Sequence, residues 1–263
     1  MSASAEAENL PTVLTIAGFD PSGGAGVVAD IRTLLHFGCR PVAVITSLTF
    51  QNAQQFLGAL HQSAESVRAQ LKTVAADAEI AAVKIGMLPS SEVVREVARQ
   101  VRELSLPSPV IDPVIESTSG GRLMDDAAFE VFVTELLPLA RVVTPNVPEA
   151  EKLAGVNISD DDSMHQAAAR IRELGARAVL IKGGHRQPKS EHREAVDLLD
   201  DRGDVTILRG EWLEAPPVRG TGCMLSSAIA ASLAKGASLS EAVAAAKRFV
   251  AAAIQDSKLE TRN

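Results

Sequence analysis

The chain has 263 residues, 46% of them hydrophobic and 22% charged, which is enough apolar material for a sizeable core in one large domain or two small ones. Its formal charge of −7 and pI near 5.3 repel polyanions, and no Lys/Arg-rich block or aromatic-basic stripe offsets them, so nucleic acid is excluded as an expected partner. No apolar run of about 18 residues occurs, and MSASAEAEN carries neither a basic nor an apolar signal segment, so a cytoplasmic protein without membrane contact is expected.

Residues 1–10 read as a disordered tail. The first predicted strand, TVLTIAG (12–18), runs into AGFDPSGGAG (17–26) and then a helix over VVADIRTLLHFG. Gly23, Gly24 and Gly26, flanked by Asp20 and Asp30, allow tight turning and close backbone approach to a ligand; a plain Gly-rich turn is the alternative. Cys39, after HFG, is expected to be structural. It lies far from Cys223, with no CxxC or His pairing, so neither a disulfide framework nor a zinc site is suggested, and both thiols are expected to be reduced. The second strand, PVAVITSL (41–48), leads to TFQN, where the amides of Gln51 and Asn52 either read a heteroaromatic edge or make a turn.

A helix over SAESVRAQLKTVAAD precedes the strand IAAVKIG (80–86) and Met87, which either faces a flat ring or fills the core. SEVVREVARQVREL reads as the next helix, PVID (109–112) as the next strand, DDAAFEVFVTELLPL as another helix, and RVVTPN (141–146) as a further strand. Asp112 and Glu149, at neighbouring strand ends, suit a hydrated Mg²⁺, although Asn146 and Glu149 also read as a helix cap. After the helix SMHQAAARIRELG, the strand AVLIKGG (178–184) places Lys182 at its end, as a point charge for a nucleotide phosphate or as a surface lysine. Residues 185–217 break the rhythm: polar first, then hairpin-like around DDRGD, they form a candidate flap over a site. GCMLSSAIAASLAKG and LSEAVAAAKRFVAAAIQDSKL read as two small-residue-rich helices that pack closely.

Apolar strands without polar alternation, separated by helices of period 3.6, imply a mostly parallel α/β sheet covered on both faces, in one domain over 1–263. Ligands of such sheets sit at the carboxyl ends of the strands. VRGTGC then acquires a reading: the amides of Gly220, Thr221, Gly222 and Cys223 lie where a helix begins, and free N–H groups with the helix dipole attract an anion such as a phosphoryl group. The same field favours thiolate over thiol at Cys223, whose usual value is near 8.5, and a downward shift of about one unit would raise the ionised fraction roughly tenfold, toward a general base; simple packing of a small apolar side chain is the alternative.

In order, AGFDPSGGAG, VITSLTFQN, VKIGML, IDPVI, LLPLARVVTPNVPEAEKL, VLIKGGH and GTGCMLSSAIA make the chain resemble the hydroxymethylpyrimidine/phosphomethylpyrimidine kinases of thiamine biosynthesis, within the ribokinase-like superfamily. The resemblance implies a ribokinase-like fold and an ATP- and Mg²⁺-dependent kinase, a homodimer. Such an enzyme phosphorylates the hydroxymethyl oxygen of 4-amino-5-hydroxymethyl-2-methylpyrimidine and then adds a second phosphate to the product. It also implies that Gly18, Asp30, Gln51 and Met87 line the pyrimidine pocket and that Asp112 and Glu149 are the Mg²⁺-associated carboxylates. Lys182 and Asn146 fall on the nucleotide side, and Cys223 matches the catalytic base.

This sequence also departs from the family pattern. Phe19 stands where a small polar residue is common and either stacks on the substrate or narrows the pocket, Thr118 replaces a lysine, and Met224 stands where a threonine follows the cysteine. Val218 and Arg219 replace a threonine-histidine pair, and Arg219 is expected to restore phosphate contacts. A pyridoxal kinase of the same branch and a non-catalytic pyrimidine-binding protein are the competing readings.

Overall fold

The structure, a computed structural model, describes residues 10–52, 54–116, 123–184, 194–211 and 218–260. Its strands are β1 (Thr12–Phe19), β2 (Arg40–Gln51), β3 (Phe56–His61), β4 (Ile80–Ile85), β5 (Val110–Ile111), β6 (Val142–Val143), β7 (Ala178–Ile181), β8 (Glu194–Asp201) and β9 (Asp204–Glu211). All belong to one nine-stranded sheet, in the order β3-β2-β1-β4-β5-β6-β7-β8-β9. The strands from β2 to β7 in that order are mutually parallel, and the antiparallel β3, β8 and β9 complete the two edges.

The helices are α1 (Gly26–His36), α2 (Ala64–Asp77), α3 (Ser91–Glu103), α4 (Asp126–Val131), α5 (Val147–Ala154), α6 (Asp161–Glu173), α7 (Thr221–Ala234) and α8 (Leu239–Glu260). Two apolar clusters separate them. Val67 of α2, Val94 of α3, Ala128 of α4, Ala150 of α5 and Ile171 of α6 share one cluster with Ile16 and Ile85 of the sheet. Leu34 of α1, Ala228 and Ala231 of α7, and Ala242 and Ala246 of α8 share the other with Val13 and Leu180. The sheet is therefore covered on both faces, and the alanines of α7 and α8 let those two helices lie close together. Cys39 is buried in the second cluster, its thiol 3.8 Å from the Ala231 carbonyl, so it is a packing residue as expected.

Three local differences from the sequence-based expectation have physical causes. FLGALH carries no polar alternation or flanking strand signal, yet it forms β3 because the Asn52 side chain accepts the Gln54 and Gln55 amides and turns the chain back onto β2. The helix expected over DDAAFEVFVTELLPL is α only to Val131, then a π-turn to Leu136 and a 3-10 turn from Leu137; Pro138 cannot continue an α-helical ladder. The described part of the expected flap is no free cover: β8 and β9 extend the sheet, joined by Arg202 and Gly203, both at positive φ, the conformation a tight two-residue hairpin requires. Residues 1–9, Thr118 in the ESTSG loop, and the remainder of the flap (185–193 and 212–217) lie outside the described residues.

At Gly183, just past β7, an added Cβ would lie 1.9 Å from the Val196 carbonyl oxygen of β8. Gly183→Ala must therefore push β8 away from the sheet. The expected cost is about 1–3 kcal/mol, read as a lower urea midpoint with an unchanged slope; an unaltered midpoint would contradict this packing.

Candidate active site

The carboxyl ends of the parallel strands bring the sequence-singled residues into one row. β1 ends at Gly18 and Phe19, β2 at Gln51, β4 just before Met87, β5 just before Asp112, β6 leads to Asn146, and β7 to Lys182. Gly18 and Met87 adjoin: a Cβ on Gly18 would sit 3.0 Å from the Met87 sulfur. The Thr46 hydroxyl donates to the Met87 carbonyl at 2.6 Å, and the Thr49 hydroxyl to the Phe19 carbonyl at 2.9 Å, so β2 fixes both neighbours. Gly18, Phe19, Gln51 and Met87 thus belong to adjacent strand ends, as a flat-ring pocket requires.

Asp30 does not join them. It is fully buried on α1, where it accepts from the Thr15 hydroxyl at 2.6 Å, the Ser227 hydroxyl at 2.8 Å, and the Lys84 ammonium at 2.9 Å on both oxygens. Both oxygens are engaged within the protein, so Asp30 is first of all a structural anchor beneath the strand ends. Lys84 itself was missed in the sequence, although a lysine inside the apolar run IAAVKIG signals a buried ion pair. Burial opposes its charge, but Asp30, Cys223 and Asp112 together hold its pKa above the ordinary lysine value.

A second ion pair lies across the sheet. Asp112 accepts from the Lys182 ammonium at 2.9 Å and from the Thr144 hydroxyl at 3.2 Å. Burial again works against Lys182, and Asp112 and Glu149 overcome it and raise its pKa. Asn146 caps α5: its side chain accepts the Glu149 amide at 2.9 Å, while Glu149 accepts the Asn146 amide at 2.9 Å in a reciprocal capping box. The capping alternative is therefore realised for both residues, and the Asn146 side-chain oxygen is engaged within the protein.

Glu149 has a second property. Burial pushes its carboxyl up to about 7; Lys182 pulls it down, and Asp112 pushes it up further. Among the described residues no cluster of three or more His, Cys, Asp or Glu side chains forms a metal cage. Two carboxylates that repel each other still fit Mg²⁺, which keeps most of its waters and needs one or two carboxylates beside substrate phosphates.

α7 begins between the two ion pairs. Gly220 is its N-cap at φ 75°, with no side-chain cap, and a Cβ there would lie 2.2 Å from the Gly24 carbonyl, so only glycine lets the chain pass so close to the loop after β1. At Gly222 a Cβ would sit 3.2 Å from the Lys182 ammonium and 3.3 Å from Asp112, so the uncapped first turn lies against both members of that pair. Cys223 follows on the same turn, half-buried, with the Gly26 amide directed at its sulfur. Its thiol titrates opposite to the sequence-based expectation. Burial pushes it up to about 11, Lys84 pulls it down, and Asp30 and Asp112 push it up again, outweighing the helix dipole.

Arg219 is also placed differently from expectation. Its guanidinium donates to the Ser22 hydroxyl at 3.2 Å, the Gln51 side-chain oxygen at 2.9 Å, Asp20 at 3.4 Å and the Asn52 carbonyl. These partners lie at the β1–β2 end of the row, and they occupy four of the N–H groups that a phosphate would need. The Asp20 carboxylate also accepts from the Ser22 amide and hydroxyl, which stiffens the glycine-rich loop. Val218 and Met224 are half-buried beside this turn.

The family profile of phosphomethylpyrimidine kinase matches residues 20–262. The hydroxymethylpyrimidine/phosphomethylpyrimidine kinase of Streptomyces coelicolor is 43% identical over 244 residues, 93% of this chain and 88% of that one. Among solved structures, a phosphomethylpyrimidine kinase of Clostridium difficile superposes with a TM-score of 0.81 at 36% identity, covering 93% of this chain and 99% of the other. An ADP complex of Bacillus subtilis pyridoxal kinase gives 0.82 at 36% identity, covering 92% and 90%. With its ribokinase-like sheet and this extent of likeness, the chain belongs to the phosphomethylpyrimidine kinase family.

Proposed function

We propose that the protein transfers the γ-phosphoryl group of ATP to the hydroxymethyl oxygen of 4-amino-5-hydroxymethyl-2-methylpyrimidine, and then a second phosphoryl group to the monophosphate. The observation that carries this reading is the position of Cys223, on the uncapped first turn of α7, between the Gly18–Met87 end of the row and the Asp112–Lys182 pair. The cytoplasm is the proposed compartment, in keeping with two free thiols.

In this reading Met87 and Phe19 bound the pyrimidine ring and Gln51 addresses its polar edge. The substrate oxygen attacks the γ-phosphorus while the bond to the ADP oxygen breaks. The hydroxyl proton passes to the Cys223 thiolate. Charge gathering on the phosphoryl oxygens is met by the amides of Gly222 and Cys223 and by the dipole of α7, and Lys182 holds the triphosphate. Asp112 and Glu149 would hold Mg²⁺ through water, and the ion would neutralise phosphate charge. Because the thiol stands near 11 in the ligand-free protein, its base form is scarce at neutral pH, and turnover should rise with pH through 7 to 9.

A second reading is supported by the comparable structural likeness to the Bacillus subtilis pyridoxal kinase. Pyridoxal also carries a hydroxymethyl group on a six-membered nitrogen ring. Phosphate transfer is therefore measured by product mass with the pyrimidine, its monophosphate and pyridoxal offered separately. Transfer to the first two is expected, transfer to pyridoxal alone would replace the substrate, and transfer to none would leave a pyrimidine-binding protein. In the same assay Cys223→Ala should lower kcat by about 100- to 10,000-fold while the pyrimidine still binds; near-normal turnover would make the thiol a packing residue.

A homodimer joined through the β2–β3 edge is part of the proposal. Leu48 and Leu60 are register partners there, and Leu57, Phe50 and Leu60 are 69%, 55% and 58% exposed on a sheet edge whose outer strand has an unpaired side. A second copy covering this surface requires Leu60→Glu to sediment as a monomer; a wild type that is already monomeric would remove the dimer.

Glu149 supplies a pH test. Its carboxyl moves from the ordinary 4.5 to about 7 on folding, so between those values the folded chain holds the extra proton. Stability from this group is complete below 4.5 and is lost as pH rises through 7. Glu149→Gln keeps the cap and removes the charge, so at pH 8 it should be more stable than the parent by up to about 3 kcal/mol, with near parity at pH 4, in denaturant titrations. The same change should weaken Mg²⁺ dependence of turnover; equal stability at both pH values would contradict the burial of this charge.

A further inference from the structure

We infer that Arg219 is a positioning residue that fixes the orientation of the Gln51 amide, so that the substrate pocket presents an N–H donor and selects a ring edge that accepts a hydrogen bond. The inference rests on the proposed role of Gln51 in holding the substrate ring. A guanidinium only donates, so the Gln51 atom 2.9 Å from Arg219 Nη2 must be the amide oxygen. The Gln51 Nε2 group, with two N–H donors, then faces away from the arginine. A ring nitrogen of a pyrimidine meets that demand, whereas an exocyclic amino group in the same place brings donor against donor.

The remaining contacts explain why the orientation is rigid. The Arg219 Nη1 group reaches the Ser22 hydroxyl on the loop after β1 and the Asn52 carbonyl after β2, and Nη2 also lies 3.4 Å from the Asp20 carboxylate. Asp20 is itself buried and held by the Ser22 amide and hydroxyl, so the arginine is anchored on a fixed charge. An added Cβ on Gly24 would come within 3.7 Å of both Arg219 Cβ and Nη1, so the side chain lies directly against the glycine-rich loop. Because Arg219 directly precedes Gly220, the clamp joins both pocket loops to the helix that carries Cys223. Lysine could satisfy the charge of Asp20 but lacks the planar fork that serves Gln51 and the two loops together.

A double-mutant cycle tests this. Arg219→Ala, Gln51→Ala and the double variant are compared by steady-state kinetics for the pyrimidine and for ATP, with Arg219→Lys as a variant that keeps the charge and thermal melts as a check on folding. Arg219→Ala should raise KM for the pyrimidine about tenfold, the loss of one well-placed hydrogen bond, while KM for ATP stays within about twofold. The double variant should be no worse than Gln51→Ala alone, because each change removes the same interaction, and Arg219→Lys should fall between Arg219→Ala and wild type. A rise in KM for ATP instead, or losses that simply multiply, would overturn the inference.

Calorimetric binding of the pyrimidine without ATP separates this inference from the kinase reading. Binding that follows the cycle in a protein without turnover would sink the kinase and keep the clamp. Normal turnover with independent losses would do the reverse, and a wild type that neither binds nor phosphorylates the pyrimidine would overturn both.

Discussion

The ion pair of Asp30 and Lys84 ties together four of the elements that frame the site. Both side chains are completely buried, and an unpaired charge in that position would be strongly destabilising. The pair is viable because each Asp30 oxygen has a second partner: Thr15 from β1 for one, Ser227 from α7 for the other. Four elements, β1, α1, β4 and α7, therefore have to meet in one geometry before any of these groups is satisfied. Ser227 lies one helical turn after Cys223 on the same face of α7, so the anchor that satisfies the buried charge also sets the depth of the thiol. Removing one partner leaves the other buried and unpaired, with a cost of about 3–5 kcal/mol, so the pair is costly to break whatever its net contribution to stability.

Much of the architecture was legible because the local pattern and the global fold agree. Strands such as AVLIKGG and IAAVKIG are apolar on both sides because helices cover both faces, and the chemically unusual residues cluster at their carboxyl ends because that is where parallel strands leave the sheet. β3 was illegible for the opposite reason. It is held by a turn of Asn52 and by its register with β2 and has no periodicity of its own, while its exposed leucines resemble the buried residues of a core strand. The DDRGD hairpin was readable from its turn residues, but its docking beside β7 depends on pairing between segments distant in sequence.

Within the site, residue types were legible and their electrostatics were not. The position of Cys223 at a helix start followed from GTGC, but the direction of its titration did not, because the dipole acts from the sequence-local backbone and burial acts from the whole fold. The buried network of Asp30 was illegible because its partners Thr15, Lys84 and Ser227 are as much as 197 positions away in the chain. Arg219 was read by its charge, yet its geometry is what distinguishes it: a fork whose four contacts belong to two loops that neither adjoin each other in sequence nor carry a phosphate-binding pattern.

The raised thiol of Cys223 and the raised carboxyl of Glu149 share one cause, the removal of water from acidic groups in a site that also holds Asp30 and Asp112. Such a site carries more negative character than its two lysines neutralise, since Lys84 is engaged by Asp30 and Lys182 by Asp112. Triphosphate alone would add to that excess, so the proposed nucleotide is expected to arrive together with its divalent cation, which offsets both the phosphates and the Asp112–Glu149 repulsion. A more basic thiolate accepts a proton more readily but is present in smaller amount, so with the thiol near 11 the two effects oppose each other at neutral pH. Proton removal from the substrate is then favourable only as the oxygen commits to phosphorus and its own acidity rises. In the proposed reaction, the raised thiol of Cys223 would therefore restrain the free site and couple base catalysis to a bound, correctly oriented substrate.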